Sequence, residues 1–408
     1  MKITPFRGLL SYREALERLL RAARPVEEME EVPLLEALGR VLGEEVVSSM
    51  DVPPFDRAAM DGYAVRSEET FSAGTFSPVL LKVVGEVYAG EVPERGIGRG
   101  EAMRVATGAP LPEGSDGVVP AEDTEEEGEV VRIYTPIPPY RNVTRRGSDI
   151  KEGEVALSSG EVLTPSRVGA LAALGLSKVK VRRRVLVSVI PTGEEIVPPG
   201  EKLEGGRIYD INSYTLGTLV KECGGEVKVW GIVGDRREEL EKALQEAIEE
   251  SDVVVFSGGS SVGERDLLEE VFGSVGEILF HGVQIKPGKP LLAAKSGDKI
   301  LLGIPGYPAS ALTSSYLFLK PLILKMGGYP LQEERSVMAR MSRRVTSNLG
   351  RHQFLTVRLE RDEGGYLAHP VFKESGTITS LSRADGYVEI PENVDLVERG
   401  EEVQVKLF

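Results

Sequence analysis

Apolar residues recur every three or four positions in SYREALERLLRAAR, residues 11–24, where Tyr12, Leu16, Leu19 and Leu20 share one face. Ser11 is placed to N-cap this helix and Glu14 to complete a capping box. A second helix is expected over 33–42, ended by Gly43. From about 46 to 145 the texture changes to short β-rich runs, such as Val79–Val84 and Ala102–Ala106, set between Pro/Gly turns. The acidic tract from Glu122 to Glu129 interrupts them and reads as a solvated loop. A helix follows at 165–174, with Thr164 as cap, Pro165 at the first helical position and Gly175 as stop.

From residue 183 onward strands and helices alternate. Val185–Ile190, Val227–Val233 and Val253–Phe256 read as strands, separated by helical patterns at 208–222 and 236–250. A helix at 266–272, short strands at Ile278–Phe280, Leu291–Ala294 and Ile300–Ile304, and a helix at 309–326 complete the run. That alternation predicts βαβ units and a mostly parallel sheet covered by helices. Beyond Gly327-Gly328-Tyr329-Pro330, residues 335–408 return to strands and turns, as in Thr356–Leu359, Tyr387–Ile390 and Val403–Leu407. A small barrel or sandwich suits them.

A length of 408 residues favours about two to four domains, and 41% hydrophobic with 28% charged residues describes ordinary globular protein. The net charge of −15 argues against nonspecific binding to nucleic acid or an anionic membrane, while leaving room for a local basic pocket. No 18-residue apolar run and no charged-then-apolar leader is present, so a cytoplasmic location is expected. The single cysteine, Cys223, excludes an intrachain disulfide and a cysteine-based zinc site, and reads as a small buried hydrophobe. The three histidines (281, 352, 369) have no metal-ligand spacing, and no Ser/His/Asp or Cys/His nucleophile arrangement stands out. A bias toward Glu, Arg and Lys over Gln, Asn, Cys and His resembles a thermophile's composition.

Ligands of open parallel sheets bind beyond the carboxyl ends of the strands. Here those ends lead into Pro191-Thr192-Gly193-Glu194-Glu195, Gly234-Asp235, Ser257-Gly258-Gly259-Ser260-Ser261-Val262-Gly263-Glu264-Arg265-Asp266, and Pro305-Gly306-Tyr307-Pro308. Each segment alone has a structural reading: Asp235 and Asp266 can cap helices, Glu195 can sit in a surface loop, and glycine-rich turns recur widely. Nearby, Ile285-Lys286-Pro287-Gly288-Lys289-Pro290 is either a rigid surface turn or a preformed clamp for an oxyanion. A phosphate held by the amides of Gly258, Gly259 and Ser260 would be repelled by Glu195, Asp235 and Asp266, at a cost of several kcal/mol. A hard divalent cation such as Mg²⁺ removes that conflict, because it takes carboxylates together with phosphate oxygens. The β-rich region holds further polar turns at 53–64, 104–110 and 145–149.

MDGYA (60–64), TGAP (107–110), RRGSDI (145–150), TGEE (192–195), GGSSVGERD (258–266), IKPGKP (285–290) and PGYPAS (305–310) occur in this order. Together they resemble the molybdopterin molybdenumtransferase family, MoeA and the gephyrin E domain, over essentially the whole chain. The resemblance implies a multidomain α/β plus β fold in four parts. These are a discontinuous helical and extended linker domain (1–45 and 146–180), a β-rich inserted domain (46–145), a doubly wound α/β molybdopterin-binding domain (181–328) and a C-terminal β-barrel (329–408). It further implies a homodimer whose site lies in a cleft between the α/β domain of one subunit and parts of the other.

The implied reaction is molybdenum or tungsten insertion into adenylylated molybdopterin, with Mg²⁺ as cofactor, molybdate or tungstate as co-substrate and AMP as product. On this pattern the amides of Gly258, Gly259, Ser260 and Ser261 would hold phosphate, and Glu195, Asp235 and Asp266 would place Mg²⁺. Lys286 and Lys289 would bring the oxyanion. Asp61, Thr107 and Asp149 would close the cleft from a partner subunit, Pro305, Gly306 and Pro308 would line the cofactor, and Ser375 would face the oxyanion from the barrel. A molybdopterin adenylyltransferase is the implied protein partner. The chain departs from the pattern at Thr144, around His281-Gly282 and at Thr356, where basic residues are expected; the choice between molybdate and tungstate stays open. Two other readings remain: molybdopterin adenylyl transfer, since the α/β domain alone resembles that family, and a non-catalytic scaffold.

Overall fold

The computed structural model describes residues 8–258, 267–330, 334–371 and 382–408. Tyr12–Ala22 forms the first helix, and the capping box at its start is complete: the Glu14 amide donates to Ser11 Oγ at 3.3 Å, and Glu14 Oε2 accepts from the Ser11 amide at 3.1 Å. The expected helix over 33–42 does not form. Met29–Pro33 is instead a strand, followed by one 3₁₀ turn at Leu34–Glu36. The strand pairs antiparallel with Lys178–Arg182. That pairing ties together the two stretches flanking the inserted β region, and Val32, Leu42, Leu163, Leu171, Val179 and Val181 pack around it.

The inserted region is a six-stranded sheet in the order Gly117–Pro120, Gly62–Val65, Glu101–Val105, Val79–Val87, Val130–Ile133, Thr124–Glu127. Both faces are covered, one by a cluster around Ala64, Met103 and Val118, the other by one around Tyr63, Leu81 and Val131. The acidic tract is not a loop: Thr124–Glu127 is the outermost strand, paired antiparallel with Val130–Ile133. An edge position tolerates these charges because their side chains reach solvent. Glu126 does more than stay solvated, since the Tyr63 hydroxyl and the Arg104 guanidinium both donate to it.

The α/β domain has a six-stranded sheet in the order Glu226–Val229, Leu186–Pro191, Val253–Ser257, Lys299–Ile304, Leu292–Ser296, Glu277–His281. The first four strands run parallel. Leu292–Ser296 is antiparallel to both neighbours, so Glu277–His281 again runs with the first four. Val253–Phe256 is completely buried, as expected of a central strand covered on both faces. Helices Tyr12–Ala22, Asn212–Glu222 and Lys320–Met326 pack one face, and Arg237–Glu250 with Leu267–Val275 the other. The helix over 208–222 starts later than expected, at Asn212, because Ile208–Tyr209 pairs with Ile196–Val197. The run from Pro308 to Met326 passes through a π-turn at Ser315–Leu319, which lets the helix continue into Lys320-Pro321 although Pro321 has no N–H to donate.

Five strands close the C-terminal barrel: His352–Asp362, Gly365–Pro370, Ser336–Met341, Glu402–Leu407 and Gly386–Ile390, the last returning to pair with the first. The two-residue strand Ile285–Lys286 of the α/β domain pairs parallel with His352-Gln353, so the barrel edge continues into the lysine-bearing turn. No helix among the described residues is long and apolar enough to cross a membrane.

Candidate functional site on the carboxyl rim of the sheet

The parallel strands place their carboxyl ends side by side, and ladder hydrogen bonds continue past them. The Thr192 amide donates to the Ser257 carbonyl at 3.0 Å, the Gly193 amide to Val233 at 3.2 Å and the Gly258 amide to Ile304 at 3.1 Å. The Gly258 amide is therefore committed to the sheet and is not a free phosphate donor, contrary to the sequence expectation. What Gly258 supplies is space. A Cβ there would lie 2.6 Å from the Thr192 carbonyl oxygen and 2.8 Å from its hydroxyl, and the backbone sits at φ +108°. A Cβ on Gly306 would lie 3.5 Å from Gly258 Cα, so the first, third and fourth exits meet at one point. Gly259, Ser260, Ser261, Asp266 and Ser375 lie outside the described residues.

Polar atoms collect around that point. Thr192 Oγ1 and Ser257 Oγ are buried and find no hydrogen-bond partner among the described residues. From the start of the Asn212–Glu222 helix, Asn212 Nδ2 donates to the Gly306 carbonyl at 2.8 Å, while Asn212 Oδ1 and Ser213 Oγ are likewise unsatisfied. Asp210, 7% exposed, accepts from the Ser213 amide at 3.0 Å. Buried oxygens without partners each cost on the order of 1–3 kcal/mol, a cost that a polar ligand on the rim would remove. The sequence reading did not single out Asp210, Asn212 and Ser213. Their signal was four residues, Asp210-Ile211-Asn212-Ser213, opening a helix directly above a strand exit.

The acidic residues follow the same rim. Gly193, at φ +138°, leaves no room for a Cβ against the Glu195 carboxylate. The Asp235 carboxyl is raised above its ordinary range, first because surrounding protein displaces water from it, then by the negative charges of Glu195 and Glu194. Asp235 does not cap the next helix: Arg236 holds that position, without a side-chain cap. Instead Glu239 reaches back to accept from the Gly234 amide at 3.1 Å. The crowded carboxylates of Glu195 and Asp235 suit a hard cation bound through oxygen. Among the described residues no group of three or more His, Cys, Asp or Glu side chains is arranged to hold a metal ion.

The IKPGKP turn packs against the helix that follows the Pro305-Gly306 exit. Gly288, at φ +106°, packs so closely on Ser314 of the helix after Pro305-Gly306 that a Cβ would lie 2.5 Å from its hydroxyl. The Val283 amide donates to the Lys289 carbonyl at 2.9 Å and closes the turn. Lys286 Nζ donates to Asn348 Oδ1 at 2.9 Å, so this lysine faces the barrel. Pro305 is buried, whereas Gly306 is exposed and Pro308 opens the following helix.

Asp61 and Thr107 meet separately, in the inserted region, and Asp149 lies just after it. The Thr107 amide and hydroxyl both donate to Asp61 Oδ1 at 2.7 Å, and these bonds hold the Asp61 carboxyl below its usual range. Thr144 pairs with Arg57, and Arg57 bridges Pro110. The Arg146 amide donates to Asp56 Oδ1 and its Nε to Asp51 Oδ2, at 2.7 and 2.6 Å. Asp149 is exposed, and its amide donates to the Val52 carbonyl at 3.1 Å. The three N-terminal motifs thus form one polar surface, held by bonds that stay between residues 51 and 152.

Three family descriptions match in series: "MoeA N-terminal region (domain I and II)" over residues 10–175, "Probable molybdopterin binding domain" over 188–325 and "MoeA C-terminal region (domain IV)" over 338–408. The molybdopterin molybdenumtransferase 2 of Mycobacterium tuberculosis is 33% identical over 405 residues, covering 98% of this chain and 99% of that one. The molybdopterin molybdenumtransferase of Haemophilus influenzae is 36% identical over 321 residues, 78% of each chain. A solved structure of a molybdopterin biosynthesis MoeA protein from Pyrococcus horikoshii superposes with a TM-score of 0.87 at 43% identity, covering 98% of this chain and 99% of that one. The order of motifs, the four-part architecture and these matches agree from end to end: the chain belongs to the molybdopterin molybdenumtransferase family, MoeA.

Proposed function

We propose that this chain is an enzyme of molybdenum cofactor biosynthesis that inserts molybdenum, or tungsten, into adenylylated molybdopterin and releases AMP. The observation carrying this reading is the meeting of Thr192, Gly258 and Gly306 at one point of the rim, with Glu195 and Asp235 beside it. Thr192, Asn212, Ser213 and Ser257 offer buried oxygens to a polar substrate. Gly259, Ser260 and Ser261 supply amides to its phosphate, while Pro305, Gly306 and Pro308 line the cofactor. Glu195, Asp235 and Asp266 would hold Mg²⁺, which when bound supplies charge neutralisation to the phosphoanhydride. Lys286 and Lys289 on their stiff turn, with Ser375, orient the oxyanion substrate.

Asp61, Thr107 and Asp149 act from a second copy of the chain in a homodimer, a reading supported by the exposure of all three. The substrate arrives from a molybdopterin adenylyltransferase, and the reaction takes place in the cytoplasm. To test this, purified protein is incubated with adenylylated molybdopterin, Mg²⁺ and molybdate or tungstate. AMP release that requires the oxyanion, together with metal-loaded cofactor, is expected. ATP consumption with free molybdopterin would assign adenylyl transfer instead, and silence in both assays would remove the enzymatic reading.

A further inference from the structure

The opposite end of the sheet carries the reverse charge. Arg182 ends the Lys178–Arg182 strand, and Arg183 and Arg184 link it to the Leu186–Pro191 strand. Arg183 faces Asp252, at 2.9 and 3.2 Å, and Glu28. Arg182 and Arg184 border a small cleft that Arg40, Arg183, Cys223 and Tyr329 also line. Its floor has room for one water-sized body. The linker strands, the α/β domain and the turn leading into the barrel all meet here.

Arg40, 5% exposed, is neutralised by Glu30. Arg182 and Arg184 form no ion pair among the described residues. Arg182 Nη1 donates to the Val26 carbonyl at 3.1 Å and Arg184 Nη1 to the Gly224 carbonyl at 3.0 Å, while the buried Nε of Arg182 has no partner. Glu222 and Lys320, the other charges felt at Cys223, are opposite in sign. Two glycines open the space. A Cβ on Gly328 would strike Arg182 at 2.7 Å and one on Gly224 would strike the Tyr329 hydroxyl at 2.1 Å, both at positive φ. A chain with a net charge of −15 thus converges two unneutralised guanidiniums and an unsatisfied N–H on a cleft of one-water size. Both guanidiniums are half-buried, and like charges held at one seam favour a counter-ion beside them.

We propose that a small inorganic anion of chloride size binds in this seam, held by Arg182 and Arg184, and clamps the linker strands to the α/β domain. The test is thermal unfolding of the full chain with chloride exchanged for gluconate at constant ionic strength. Ligand linkage gives about a tenfold drop in the apparent unfolding equilibrium constant when chloride is ten times its Kd. The expected result is a midpoint that rises with chloride in the parent protein and not in Arg182→Gln or Arg184→Gln. An equal rise in parent and variants, or no rise in the parent, overturns the proposal. Should the variants fail to fold, anomalous diffraction from a bromide-soaked crystal of the parent decides: a bromide peak between Arg182 and Arg184 supports the site, and its absence refutes it.

Discussion

Replacing Gly258 with alanine is expected to damage the rim far more than replacing Gly306, although the two glycines touch. At Gly258 the new Cβ would stand 2.6 Å from the Thr192 carbonyl oxygen, on a backbone at φ +108°. That φ costs a non-glycine residue on the order of 1–3 kcal/mol. The carbonyl cannot simply retreat, because the Gly193 amide of the same peptide unit donates to the Val233 carbonyl at 3.2 Å. Strain and displacement together come to roughly 2–4 kcal/mol, a fall in melting temperature of roughly 4–16 °C for a unit of this size. At Gly306 the new Cβ would meet Gly258 Cα at 3.5 Å, an ordinary contact. Gly306→Ala should therefore melt within about 2 °C of the parent. Thermal unfolding and oxyanion-dependent AMP release, measured side by side, check the contrast. A Gly258→Ala protein that melts and turns over like the parent, or a Gly306→Ala protein equally damaged, would refute the reading of a rim closed by the missing side chain of Gly258.

Asp235→Asn should raise thermal stability in metal-free buffer while AMP release collapses. The sign follows from the raised folded-state carboxyl, which makes its ionised form a burden on the fold above the usual carboxylate range. Asp252→Asn should act in the opposite sense. Burial pushes this carboxyl up, but the Arg183 guanidinium and the Leu186 amide at 2.8 Å outweigh burial and hold it below its ordinary range. The variant should lose about 3 kcal/mol at pH 7, the low end for a buried pair because Glu28 still faces Arg183. Melting curves against pH should show the gap closing as the solution is acidified through the depressed folded-state pKa. Thr107→Val removes one of two donors to Asp61 and should leave circular dichroism unchanged while slowing metal insertion. Asp266→Asn should keep folding and dimerisation, by light scattering, and lose AMP release.

Local signals carried as far as their range. Ser11 and Glu14 name a helix start because the bonds they form span three residues, and both bonds are present. The segment after Pro33 misleads for the opposite reason: its Val41 and Leu42 bridge Val162 and Val181, far along the chain, and no local periodicity reports those bridges. The acidic tract misleads because charge argues for solvent, and an edge strand satisfies that argument as well as a loop does. The rim was legible because parallel topology alone forces strand exits onto one side. Which amides remain free there was not, since the Gly258 bond to Ile304 depends on how far the sheet ladder continues.

Asp235 shows how a structure can shift the weight between two readings of one residue. In sequence it serves equally as a helix cap or as a ligand. In the folded chain Arg236 takes the cap position and Glu239 satisfies the Gly234 amide, so the helix start has no need of Asp235. The carboxylate makes no hydrogen bond or ion pair among the described residues and is raised by burial and then by its acidic neighbours, so its charge destabilises the fold that carries it. The same holds for the buried hydroxyls of Thr192 and Ser257, which cost desolvation and gain no partner among the described residues. Groups that burden a fold cluster where their interactions are completed by something outside the chain. The far end of the sheet obeys this rule with the sign reversed. Arg182 and Arg184 make no ion pair there among the described residues, beside Arg40 and Arg183, which do pair with carboxylates.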